Sequence, residues 1–285
     1  MSPDTGKKVP ILDNHMHLDL EGRCVEAARE FERAGGTAIM LVDKPNWALM
    51  RSEAGMKEQF GITLKIADLV RQGTGLKVFV TVAPHPALLP QLVKDMSLDD
   101  AVALMRKGVD IAAGLVQEGK VVALGEVGRP HFPVTEEIME ASNGVMVYAM
   151  ERAKDVGCPV TLHTESVTEE TFVFLAGLAD KVGLERGKVI KHFSPPMVGE
   201  KVNQGLFPSV VASRDAIEKA LTQGDRFMME TDYLDDMRRP GAVMGPKTVP
   251  KRTLDMLRTG KMTEEQALRI HKEHPERIYG IELPG

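Results

Sequence analysis

Eight short apolar runs, each followed by a stretch of helical pattern, constrain this chain more than any other feature. The runs cover residues 9–15, 37–42, 78–83, 121–126, 159–163, 188–192, 209–212 and 227–231. They are apolar without clean alternation, the pattern of strands buried on both faces of a parallel sheet. Helices are expected over 21–34, 56–72, 98–117, 136–156, 169–182 and 214–221, and near 248–258 and 263–273. Gly35-Gly36, Gly73 and Gly157 supply stop signals at three of their C-terminal ends. Parallel strands need long crossovers, and eight βα units in about 250 residues is the size of a (β/α)8 TIM barrel. An open doubly wound sheet is the alternative, but no Gly-x-Gly-x-x-Gly or Walker-type loop follows the first strand. The expectation is therefore an α/β chain with residues 1–285 forming one domain and a frayed polar N-terminus at 1–8.

In a barrel of this type the active site lies at the carboxyl ends of the strands. Ligand-type residues gather there. His15 and His17 stand at the end of the first strand, two residues apart, so extended backbone points both the same way with Asp13 beside them. Glu126, His163, His192 and Asp232 each end a later run. The chain has two cysteines, Cys24 and Cys158, too few for a thiolate cluster, so any metal is held by nitrogen and oxygen. Six such ligands exceed the needs of one four-coordinate ion and suit two neighbouring divalent ions sharing a carboxylate. That arrangement activates a bridging water and polarises the bond under attack, and Asp232 can also take the proton from the water. The imidazole and carboxylate mixture suits zinc, manganese, iron or, less well, magnesium. Glu230 has the same parity as Asp232 and is expected to support the ligands with Asp13, whereas Lys191 has the opposite parity to His192 and is expected to face the helices. The net charge of −5 argues against a dedicated nucleic-acid-binding face. No apolar run approaches a membrane span and no signal-peptide core is seen, so a cytoplasmic protein is expected.

These motifs, in this order, resemble the amidohydrolase superfamily of metal-dependent hydrolases, most closely its TatD branch. The resemblance runs over residues 11–281 and rests on Asp13 to Asp19, His85-Pro86, Gly125 to Gly128, His163, His192-Phe193, Glu230-Thr231-Asp232 and the closing His274 to Gly280. It implies a two-metal phosphodiesterase, often a DNase, acting on a small phosphoester or a nucleic-acid end. His15, His17 and Asp232 would serve one ion, His163 and His192 the other, and Glu126 would bridge them.

The chain departs from that pattern at Arg129-Pro130-His131, Thr164-Glu165 and Tyr233 to Asp236, all on the substrate side. His85, Arg129 and His131 are the expected substrate contacts there. Arg238, Arg239, Lys247, Lys251 and Arg252 form a further basic stretch, read as a solvated loop or as a rim for a phosphate chain. Two other functions compete: hydrolysis of a cyclic amide, lactone or other small C–N or C–O bond, and a non-catalytic metal-binding scaffold.

Overall fold

A computed structural model describes residues 9–284; the expected frayed segment 1–8 lies outside the described residues. The strands are β1 (Leu12–His17), β2 (Ala38–Val42), β3 (Lys77–Val82), β4 (Ala123–Gly128), β5 (Val160–His163), β6 (Val189–Ser194), β7 (Phe207–Val211), β8 (Met228–Glu230) and β9 (Tyr233–Leu234). The helices are α1 (Val25–Arg33), α2 (Glu53–Gly73), α3 (Leu89–Leu92), α4 (Leu98–Gln117), α5 (Glu136–Val156), α6 (Glu169–Val182), α7 (Arg214–Leu221), α8 (Thr248–Arg258), α9 (Glu264–Leu268) and α10 (His274–Tyr279). All the strands pair in parallel, in the order β8-β7-β6-β5-β4-β3-β2-β1-β9.

The ninth strand is the second half of the eighth. β8 pairs with β7, the chain breaks at Thr231-Asp232, and β9 then pairs with β1 at Met16 and His17. Asp13 on β1 closes the seam. Its Oδ1 accepts from the Thr231 N–H at 3.0 Å and its Oδ2 from the Thr231 hydroxyl at 2.6 Å. The result is the expected (β/α)8 barrel, with one strand kinked at the residue that carries Asp232.

Apolar side chains fill two layers. Leu41, Val80, Leu124 and Leu162 on the strands pack outward against Phe31, Phe60, Val109, Ala149 and Leu175 on the helices. Inside the barrel, Met40, Ala123, Ile190, Phe207 and Met228 pack at the amino ends of their strands against Ile278 and Tyr279 of α10. The floor is thus sealed by the C-terminal helix, and the open end is the carboxyl face. Among the described residues, no helix is long and apolar enough to cross a membrane.

Most expected boundaries are met within a few residues, with four differences. The first helix begins at Val25 rather than 21, because the Arg23 and Cys24 N–H groups are taken by the Asp235 carboxylate at 2.9 and 2.8 Å. The stretch after Asp232 contains β9, where an unbroken loop was expected. Pro86–Leu88 and α3 form short helical turns after β3 that the pattern did not signal. The last expected helix, 263–273, is α9 followed by a π-helical turn at Arg269–Glu273, and α10 follows it.

Candidate metal centre

The imidazoles and carboxylates of the carboxyl face meet around Glu126. The backbone at Gly125 makes room for this: a Cβ there would lie 2.6 Å from Thr161 Cβ, so only glycine lets β4 approach β5 closely and turn Glu126 inward. Gly128, with φ +139°, then redirects the chain over His163, whose carbonyl a Cβ would strike at 2.1 Å.

Glu126 is 4 % exposed and its two oxygens face different partners. Oε2 lies 3.6 Å from both His15 Nε2 and His17 Nε2. Oε1 lies 2.8 Å from His163 Nδ1 and 3.2 Å from His192 Nε2. Asp232 Oδ1 completes the first side, 3.8 Å from His15 Nε2 and 3.6 Å from His17 Nε2. Asp232 holds φ +51°, a left-handed conformation that Asp tolerates better than most residues.

Tautomers follow from the far nitrogens. His17 Nδ1 lies 3.2 Å from the Val42 carbonyl and 3.0 Å from that of Asp43, both acceptors, so Nδ1 carries the proton and Nε2 presents a lone pair. His192 Nδ1 lies 2.9 Å from Glu230 Oε1, which fixes it the same way. His85 is fixed in the opposite sense. Its Nδ1 accepts from the Ala87 N–H at 3.1 Å, so in the neutral ring Nε2 is a donor. That N–H sits 3.9 Å from Glu126 Oε2. Burial holds His85 well below the usual imidazole range, which keeps it neutral. Although His85, Glu126 and His163 lie close enough to group around one ion, His85 offers it a hydrogen rather than a lone pair.

The donor set fits divalent cations. Burial pushes Glu126 up, but His192, His15, His85 and His163 outweigh it and hold the carboxylate well below its ordinary range. His15 is pushed down by burial and raised more strongly by Glu126, Glu230 and Asp232, to about 9. The carboxylates therefore call for positive charge at the point where His15, His17 and Asp232 converge. Those three form one group able to hold an ion; His15, Glu126 and His192 form another.

A supporting layer surrounds these candidate ligands. Glu230, fully buried, accepts from His192 Nδ1, from the Phe193 N–H at 2.7 Å and from the Ser209 hydroxyl. Asn14 donates to Ser209 Oγ at 3.0 Å and accepts from the Tyr279 hydroxyl at 3.0 Å, so this chain of bonds runs from the floor helix to the ligands. Asp13 does not enter the centre; it clasps Thr231 and accepts from the His15 N–H at 3.2 Å. Lys191 pairs in register with Leu162 of the helix-facing layer, and its Nζ donates to the His192 carbonyl.

The remaining expected residues occupy the rim. Arg129 is spent on Glu165 and lies over the Phe174 ring at 5.1 Å. His131 Nδ1 lies 2.7 Å from His163 Nε2. Arg238 and Arg239 pair with Asp236, and Lys247 with Glu30, so part of the basic stretch is locally neutralised. Sequence reasoning missed Asn14, Ser209 and Asp235. Ser209 is a polar residue within an apolar strand, which was a usable signal. Asp235, 1 % exposed, also accepts from the Asp19 N–H at 3.2 Å and from the Tyr233 hydroxyl at 3.1 Å, holding the loops after β1 and β8 together; the sequence pattern set it on the substrate side and gave no sign of this structural role.

Comparison with known proteins agrees with the geometry. A family model described as TatD related DNase matches residues 12–280. The chain is 41 % identical over 286 residues to an uncharacterized protein of Methanocaldococcus jannaschii, covering 98 % of this chain and 99 % of the relative. It is 27 % identical over 217 residues to the deoxyribonuclease TATDN3 of Homo sapiens, covering 72 % and 70 %. Its fold is similar to that of the phosphotriesterase homology protein from Escherichia coli, solved with phosphate in the active site, at a TM-score of 0.64 and 12 % identity over 96 % and 99 % of the two chains.

Proposed function

The chain belongs to the TatD-related DNase family of metal-dependent hydrolases, and from that membership we propose that it hydrolyses phosphoester bonds, most readily at a nucleic-acid end, using two divalent ions. The observation that carries this reading is the division of Glu126. One of its oxygens faces His15 and His17 and the other faces His163 and His192. His15, His17 and Asp232 would hold one ion, His163 and His192 the other, and Glu126 both. When bound, the ions supply the charge that makes water acidic near neutral pH and offsets the charge of a phosphoryl group.

The chain's own groups do the rest. Asp232, the most exposed of the carboxylates at the centre, is placed to accept the proton of the attacking water. His85, neutral with Nε2–H directed inward, is placed to donate to a phosphoryl oxygen. Glu230 holds His192 in the tautomer that leaves its Nε2 lone pair facing Glu126. Arg129, engaged by Glu165, shapes the rim.

The test is release of nucleotides from end-labelled single-stranded DNA by protein stripped of metal and resupplied with zinc, manganese or magnesium. Release is expected only with metal, and Asp232→Asn is expected to lower it by about 100-fold or more. No release from a metal-loaded protein would exclude the nucleic-acid substrate, and turnover of a small amide or lactone instead would replace the phosphoester reading. A protein that binds no divalent ion would overturn the whole proposal.

A further inference from the structure

Three of the four ligand imidazoles sit deep, and two of them, His17 and His192, are locked by an acceptor at the far nitrogen. His163 is different. It ends the four-residue strand β5 and is the most exposed of the four. The group at its far nitrogen is His131, on the loop after β4, with His131 Nδ1 2.7 Å from His163 Nε2.

A neutral imidazole has one N–H, and the placement of its two nitrogens decides where that hydrogen goes. His163 Nδ1 faces Glu126 Oε1 at 2.8 Å, and His163 Nε2 faces His131. Were an ion held by Glu126 and His163 together, His163 Nδ1 would present a lone pair to it. The consistent assignment puts the lone pair at Nδ1, toward the centre, and the hydrogen at Nε2, donated to His131 Nδ1.

His131 is not a loose rim residue. The Arg129 N–H donates to the His163 carbonyl at 2.9 Å, and the Arg129 guanidinium grips Glu165, two residues beyond His163. Pro130 between them is buried. The loop is thus tied to the end of β5 at His163 and again two residues beyond it, and His131 is delivered to the far nitrogen of His163.

We propose that His131 is a positioning residue for the metal centre: it accepts the His163 Nε2–H, fixes the tautomer and ring orientation of His163, and so sets the affinity of the ion held by His163, rather than contacting substrate. This rests on the two-metal reading above. It recasts the Arg129-Pro130-His131 departure as a clamp on a ligand.

The experiment is calorimetric titration of zinc and, separately, manganese into metal-free wild type, His131→Ala and His131→Gln. Wild type should take two ions. His131→Ala should bind one of them about 10- to 100-fold more weakly while the other is unchanged. His131→Gln, whose side-chain oxygen can accept the same hydrogen, should recover part of the loss. With DNA as substrate, His131→Ala should regain its kcat at high metal concentration with an unchanged KM. Titrations identical to wild type, with a raised KM, would assign His131 to the substrate and overturn the proposal while leaving the two-metal reading intact. A wild type that binds no ion would overturn both. Thermal unfolding in chelator, expected to be the same for all three proteins, separates these outcomes from misfolding.

Discussion

At the scale of single residues, the candidate centre is framed by groups behind the expected ligands. Glu230 is the clearest case, because it accepts three hydrogens, two of them buried, from His192, Phe193 and Ser209. Removing it leaves those donors unpaired, and an unsatisfied buried donor costs about 1–3 kcal/mol. Glu230→Ala is therefore expected to lower the unfolding free energy in chelator by at least that amount. It should also weaken metal binding about 10- to 100-fold by freeing His192 to change tautomer. Urea titration and calorimetry on the same variant check the two effects; unchanged metal affinity with lowered stability would make Glu230 a purely structural residue. The six expected ligands, which the fold gathers around Glu126, could be picked out from residue type and their place at strand ends. The lone-pair directions of His17 and His192 were not, since they depend on acceptors contributed by other strands and loops.

At the scale of elements, local signals explain which boundaries were foreseen. Helices α4, α5, α6 and α7 begin directly after Ser97, Thr135, Thr168 and Ser213, and each of these side chains accepts from a backbone N–H of the first turn. Gly157 and Gly183, in the left-handed region, close α5 and α6. Such signals act within a few residues and are visible in sequence. The π-helical turn is different, because its reason is tertiary. It places His271 fully buried, with Nδ1 3.1 Å from the Leu12 carbonyl of β1 and Nε2 2.8 Å from the Thr253 hydroxyl of α8. Burial pushes His271 down from 6.5 to about 4. A folded-state value below the unfolded one means that the unfolded chain binds the extra proton between those limits. The stabilising effect of neutral His271 is thus complete above about pH 6.5 and is lost as pH falls toward 4. Between pH 6.5 and 5 the loss from this group is roughly 1–2 kcal/mol. His271→Gln is expected to be less stable at pH 7 but to lose less on acidification than wild type. Urea midpoints at pH 7 and pH 5 read the difference, and equal slopes for the two proteins would refute it.

At the scale of the whole molecule, the barrel is closed at both ends by long-range side-chain bonds. Asp13 joins β1 to Thr231 beyond β8, Asp235 gathers the loops after β1 and β8, and Tyr279 ties the floor helix through Asn14 and Ser209 to Glu230. A cation at the centre would bind only the assembled form, since its expected ligands come from four different strands and the kink after β8. An ion at 100 times its Kd stabilises such a state by about 2.7 kcal/mol. For chains near this size each kcal/mol moves the unfolding midpoint by roughly 2–4 °C. Chelation is expected to lower the midpoint by several degrees and resupply to restore it. A midpoint indifferent to zinc and manganese would argue against an ion at the centre. By itself the sequence determined the succession of strands and helices, because apolar runs, caps and glycine stops act within a few residues, and it marked the imidazoles and carboxylates that gather at the carboxyl face, because they recur at strand ends. Only the tertiary structure decided the split of the eighth strand, the tautomers of His17, His85 and His192 and the pairing of His131 with His163. Those outcomes depend on bonds between residues 32, 38, 218 and 265 apart in the chain, which no local pattern encodes and which form only once the barrel has closed.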